Sequence, residues 1–318
     1  MLNSAETSEI GRGMCTANRQ HRITRLLFVL ALLLSCCLAA NAQSVVLGVL
    51  EDVPPVHAGD TGAPAVSVLF HFEAKEWIAY PSDCPNQDCL RRIVAQYPAS
   101  ARWSIGFNGR EIGKVSTRTP KLFDLYAHVG LQSLDDPQRA PKIGSKSEEF
   151  GGFTGEAVYR PLVANTEPFF SDPDHWAGSP VPGTVQTALR HAFRRENPKL
   201  CKRDQTDETR FAPFGYTDVQ VRIVKALKSK TGIWIAELHL DNASECDDVV
   251  EFDDPWFVVK PNETAIYIGE GMKFVSAGDF NNDGMSEILF SIARYNRGGY
   301  ELFYDRFTKH VSFEFSFH

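Results

Sequence analysis

Gly278-Asp279-Phe280-Asn281-Asn282-Asp283-Gly284-Met285-Ser286-Glu287-Ile288-Leu289-Phe290 is a polar loop that runs without a break into an apolar strand. With Asp279 as position 1, side-chain oxygens fall at 1 (Asp279), 3 (Asn281) and 5 (Asp283), glycine at 6 (Gly284), a backbone carbonyl at 7 (Met285) and a carboxylate at 9 (Glu287). Calcium takes roughly six to eight oxygens, and alternate positions of a tight loop aim them inward while the glycine permits the sharp turn. Three carboxylates held together repel one another, which favours a cation among them. The competing reading is an Asx-rich surface turn without an ion, because Asp, Asn and Gly favour turns in any case.

The flanks of the loop read as strands, and they set the fold. Lys273 to Ala277, Ile288 to Ala293, Tyr300 to Tyr304 and Val311 to Phe317 are joined by short turns, which predicts one antiparallel meander. In the last of them Val311, Phe313, Phe315 and Phe317 alternate with Ser312, Glu314 and Ser316, so one face is apolar and the other wet. The loop is not an EF-hand, since position 12 is Phe290, where that loop needs a bidentate Glu. Residues 272 to 317 resemble the FG-GAP or VCBS-type repeat of integrin-like β-propellers, whose calcium loop joins two strands of a blade. The resemblance implies a structural calcium ion held by Asp279, Asn281, Asp283, Met285 (through its carbonyl) and Glu287. The loop occurs once, so any propeller is incomplete or degenerate.

Working outward, strand signals dominate the chain. Val219 to Leu227 and Ile233 to Leu240 flank a turn at Lys228 to Gly232, with Trp234, Ala236, Leu238 and Leu240 on one face. In the first half, Trp103 to Phe107 and Glu111 to Val115 flank Asn108-Gly109, the pair a type I′ hairpin turn prefers. Two segments have helical spacing. Asn86 to Gln96 carries Leu90, Ile93 and Val94, and Thr184 to Glu196 places Val185, Leu189, Ala192 and Phe193 on one side. The fold expected is mainly β, built from antiparallel meanders with two short helices. Its regions are a leader (1–42), a β-rich region (43–134), a Pro/Gly-rich segment with one helix (135–218) and the meander region with the calcium loop (219–318).

Arg22 and Arg25 precede the apolar run Leu26 to Leu34, and Ala40-Asn41-Ala42 follows, which is the pattern of a secretory signal peptide cleaved before Gln43. Cleavage before Cys36, with lipidation, is the rival, and either Met1 or Met14 can be the start. The protein is thus expected to be exported, periplasmic or extracellular, with no membrane span. Removing the leader leaves Cys84, Cys89, Cys201 and Cys246. An even number suits an oxidising compartment, and of three possible pairings Cys84 with Cys89 and Cys201 with Cys246 is favoured.

The formal charge is −7 overall, and the leader holds four Arg against two Glu, so −9 falls from Gln43 onward. That argues against nucleic acid, whose phosphates reward Lys and Arg. Lys230-Thr231-Gly232 matches one fragment of penicillin-recognising enzymes, but no Ser-x-x-Lys accompanies it and a hairpin turn explains it. Asp247-Asp248 and Glu251-Phe252-Asp253-Asp254 could supply a carboxylate pair, though a solvated acidic loop is the simpler reading. Trp176, Trp256, Tyr295 and Tyr300 suit either a sugar-binding surface or a core. No catalytic residue is assigned. The function expected is a calcium-stabilised binding or interaction protein for an unknown protein or carbohydrate ligand; the alternative is a secreted hydrolase or lyase acting on polysaccharide or peptidoglycan.

Overall fold

A computed structural model describes residues 45–53, 63–82, 87–118, 130–151, 157–203, 211–244, 253–261, 264–294 and 297–316. The leader therefore lies outside the described residues, as do Cys84 and Cys246. The chain opens on β1 (Val45–Val53), β2 (Ala63–Glu73) and β3 (Glu76–Ala79), then α1 (Gln87–Val94), followed by β4 (Arg102–Phe107), β5 (Arg110–Ser116), β6 (Leu131–Ser133) and β7 (Leu162–Asn165). These strands form one antiparallel sheet in the order β3-β2-β1-β7-β4-β5, with β6 on β2. The run Val46 to Leu50 is buried on both faces of β1, as a strand covered on both sides must be. At the β4–β5 hairpin, Asn108 and Gly109 have φ of 46° and 74°, the two left-handed positions of a type I′ turn.

The middle of the chain contributes β8 (Ala177–Gly178), α2 (Gly183–Glu196), β9 (Cys201–Arg203), β10 (Phe211–Pro213), β11 (Val221–Lys228), β12 (Trp234–Leu240), β13 (Ala243–Ser244), β14 (Pro255–Val259) and β15 (Ile266–Glu270). A five-stranded sheet runs β15-β14-β12-β11-β8, and β10-β9-β13 form a small three-stranded one. The end of the chain is the meander expected: β16 (Met272–Gly278), β17 (Glu287–Arg294), β18 (Arg297–Tyr304) and β19 (Lys309–Ser316), paired in chain order. The fold is mainly β and antiparallel, with two α-helices among the described residues, and none of its sheets closes into a barrel.

Side-chain alternation stacks these sheets. Leu289, Tyr300, Leu302 and Phe313 face one way from the C-terminal sheet and share a core with β1, β2 and β4. Ile288, Phe290, Ile292 and Phe303 face the other way, onto Ile233, Ile235, Trp256 and Val258 of the five-stranded sheet. The far side of that sheet, with Trp234, Ala236, Leu238 and Phe257, receives Leu189, Ala192 and Phe193 of α2. The order is sheet, sheet, sheet, helix, and the C-terminal meander is an inner layer buried on both faces. Each large side chain buried this way contributes about 1.5–3 kcal/mol.

Residues 45–318 make one compact unit in which the sequence regions exchange strands: β7 inserts between β1 and β4, and β8 pairs with β11. A bulge between Phe274 and Ser276 interrupts β16, the edge of the inner sheet. Arg160 caps it, its Nη2 donating to the carbonyls of Val275 (2.7 Å) and Phe274 (3.3 Å). Burial holds the Arg160 guanidinium below its ordinary pKa, with Glu149 opposing.

Candidate metal centre

The loop between β16 and β17 is built on two left-handed residues, Asn282 (φ 61°) and Gly284 (φ 89°). Asn tolerates that region better than most residues and glycine enters it freely. The Asp279 carboxylate then accepts the amides of Asp283 and Gly284, each at 2.9 Å. Asn281 Oδ1 accepts Asp283 N (3.0 Å), Asp283 Oδ1 accepts Met285 N (2.9 Å), and Asn281 Nδ2 donates to Asp283 Oδ2 (3.2 Å). Asp279, Asn281 and Asp283 are thereby brought round one turn of backbone.

Glu287 faces the base of the loop. Its Oε2 accepts Phe280 N at 2.6 Å, and Trp77 Nε1 of β3 donates to its Oε1 at 3.4 Å. Asp279 is 4% exposed and Glu287 2% exposed. Burial is the first cause raising both carboxyls above their ordinary range, Glu287 to about 8, and the Asp283 charge adds to each.

Sequence reasoning missed two further carboxylates, which arrive from the segment before β8. Asp172 Oδ1 accepts Ser286 Oγ (2.6 Å) and its Oδ2 accepts Trp176 N (2.6 Å). The buried Asp174 accepts Ser286 N through Oδ2 (3.2 Å), and its own amide donates to Ser286 Oγ (3.1 Å). Asp279 N, in turn, donates to Ser171 O (2.6 Å). The segment Ser171-Asp172-Pro173-Asp174 has the composition of a turn, and no local signal ties it to a loop more than a hundred residues away.

Among the described residues, none of these five carboxylates has a Lys, Arg or His within ion-pairing distance. Nor do three His, Cys, Asp or Glu side chains among them converge closely enough to hold a metal in the arrangement present. The loop amides and Ser286 engage the oxygens instead. The donor set consists of oxygen alone, which suits a hard cation rather than zinc. A carboxylate oxygen that accepts one N–H keeps a second lone pair.

The other acidic run is only partly visible. Asp247, Asp248 and Glu251 lie outside the described residues. Asp254 Oδ1 sits 2.8 Å from His239 Nδ1, and Asp241 Oδ1 sits 3.0 Å from His239 Nε2, so the two carboxylates clamp opposite edges of one ring and do not share a centre. Asp253 is pushed up to about 6, first by burial and then by Glu270, with Arg294 opposing. An acid whose folded pKa is raised binds its proton more tightly in the folded state, so its favourable contribution holds below about pH 4 and is lost as pH rises through about 6. Asp253→Asn is therefore expected to raise the thermal midpoint at pH 8 by roughly 2–4 °C and to leave it unchanged at pH 4. Melts at the two pH values check this; an equal shift at both would refute it.

Trp256 and Tyr300 are core residues, Trp176 packs against Phe307 at 5.9 Å, and Tyr295 lies outside the described residues. Lys230 to Gly232 is a hairpin turn, with Gly232 at φ 86°. Among the described residues no helix is long and apolar enough to cross a membrane. Comparison of the chain with protein-family models, with curated proteins and with solved structures finds no match.

Proposed function

We propose that this chain is an exported binding protein whose β16–β17 loop takes a calcium ion in a structural role, with Asp279, Asn281, Asp283, the Met285 carbonyl and Glu287 as ligands. One observation carries the reading: Asp174, Asp279 and Glu287 are almost wholly buried carboxylates, set beside Asp172 and Asp283, and no cationic side chain among the described residues pairs with any of them. A buried charge without a partner costs several kcal/mol or takes up a proton. A divalent cation relieves that cost, and its binding energy becomes folding energy. Calorimetric titration of calcium into chelator-treated protein is expected to show one site of about 10⁻⁴–10⁻³ M, the range of extracellular modules. Absence of heat together with an unchanged melting curve would overturn the reading.

Export is supported by the leader, and a mature N-terminus at Gln43 would read it directly. The cysteine pairing is proposed with it. Neither Cys89 nor Cys201 is a free titrating thiol. The β9–β13 register sets Ser244 opposite Cys201, two residues before Cys246. Peptide mapping without reduction is expected to yield Cys84 linked to Cys89 and Cys201 linked to Cys246; any other pairing refutes the assignment.

A further inference from the structure

A groove of about 510 Å³ runs over the outer face of the β4–β5 hairpin. Strand alternation and register decide what lines it. Trp103 and Val115 are cross-strand partners turned into the core, so the residues on either side of each in sequence point the other way. On that outer face Arg102 stands opposite Ser116, and Ser104 opposite Lys114. The result is a four-cornered patch with two cations on one diagonal and two hydroxyls on the other, about 5 Å apart across the strands and about 7 Å along them. Thr166 closes one side.

The charges in the groove are unevenly compensated. Asp135 and Asp136 lie at its rim, but Arg118 (2.8 Å) and Arg139 (3.1 Å) already pair with them. Among the described residues Lys114 has only the exposed Glu111, at 3.6 Å, and Arg102 has no carboxylate within ion-pairing distance. In a chain of net charge −7 this is a local positive site. Ser104 is 6% exposed as a residue and lines the groove, and among the described residues its hydroxyl makes no hydrogen bond, so that hydroxyl opens onto the groove with its donor and acceptor both available. Thr166 Oγ1 accepts Val46 N (3.0 Å) and keeps its own proton to donate.

We propose that this groove binds an acidic oligosaccharide, a short chain of hexuronate rings. Arg102 and Lys114 meet its carboxylates while Ser104, Ser116 and Thr166 meet its ring hydroxyls. The inference deepens the binding-protein reading above and is independent of the calcium loop. A volume of this size falls in the range of small-ligand sites. Guanidinium and ammonium groups recognise carboxylates through charge-assisted hydrogen bonds, and the hydroxyls of Ser104, Ser116 and Thr166 beside them suit a ligand that is itself rich in hydroxyls. Nucleic acid is disfavoured, because stacking on single strands needs an open aromatic face and Trp103 is wholly buried.

Isothermal titration with trigalacturonate tests this, using the full mature chain, with maltotriose as the uncharged control and inorganic phosphate as a third arm. Binding of trigalacturonate is expected, weakened at least about tenfold by Arg102→Gln and by Lys114→Gln, and by raised salt. Both side chains are exposed, so melting curves of these variants should match the parent. Ser104→Ala is expected to weaken binding several-fold. No binding, equal affinity for maltotriose, phosphate binding as tight as the sugar acid, or indifference to both charge substitutions would each overturn the proposal. The titration is run with and without calcium. Binding in both conditions leaves the groove standing even if the loop takes no ion.

Discussion

Asp279→Ala is expected to lower the thermal midpoint in calcium by about 10 °C and to abolish the difference between calcium and chelator. The side chain is almost wholly buried and accepts two loop amides, Asp283 N and Gly284 N. Both amides belong to exposed residues, so water can replace the carboxylate, and losing the two hydrogen bonds costs about 1–3 kcal/mol together. With calcium at roughly ten times its Kd, the bound ion adds about 1.4 kcal/mol more, which the variant forfeits. Each kcal/mol moves the midpoint of a chain this size by roughly 2–4 °C. Asp279→Asn separates the two parts, because its one amide oxygen can keep one of the two loop hydrogen bonds, which Asp279 accepts on different oxygens, while the charge that holds the ion is gone. It should melt between the chelated parent and Asp279→Ala and ignore calcium. If Asp279→Ala melts lower but still responds to calcium, the loop is an Asx turn and the ion, if any, sits elsewhere.

Much of the architecture was legible because it follows from local chemistry. Asn108-Gly109 announces its hairpin through two left-handed residues, and the period-2 runs of β12 and β19 announce their faces. The helices over Gln87–Val94 and Gly183–Glu196 fall where the apolar spacing placed them. What could not be read was which face meets which. β17 is apolar on both sides, and only the partners on β1 and β14 show that one side serves each of two cores. The same holds for the site. Asp279, Asn281 and Asp283 gather by loop geometry alone, and that geometry is written in the spacing. Asp172, Asp174 and the indole of Trp77 come from distant elements, and their arrival depends on the stacking of sheets. The orientation of Glu287 toward Phe280 N is likewise a product of burial, because an acid next to a strand turned inward must find its donors in the backbone beneath it.

The inner position of the C-terminal sheet makes Phe290→Ala the largest packing effect expected, about 3–5 kcal/mol and a fall of at least about 10 °C. Phe290 is wholly buried and meets three rings edge to face: Trp256 at 4.9 Å and 70°, Phe303 at 5.8 Å and 88°, and Phe274 at 6.0 Å and 80°. Two of those partners lie in its own sheet and one in the five-stranded sheet, so truncation opens a cavity at the contact between layers and also removes favourable ring pairs. A strand at a solvated edge would lose much less, since its neighbours and water could collapse onto the gap. Strand alternation sets Phe290 on the face of β17 opposite to Glu287, toward the five-stranded sheet, so the ion's contribution should survive. The variant is expected to melt far below the parent and still gain the same increment from calcium, because mass action adds to whatever stability the fold retains. Thermal melts of parent and variant with and without calcium measure both quantities together. A loss below about 1 kcal/mol would mean that the C-terminal meander is not packed between two sheets. A lost calcium increment in a folded variant would mean that the loop is held by the layer beneath it rather than by its own amides.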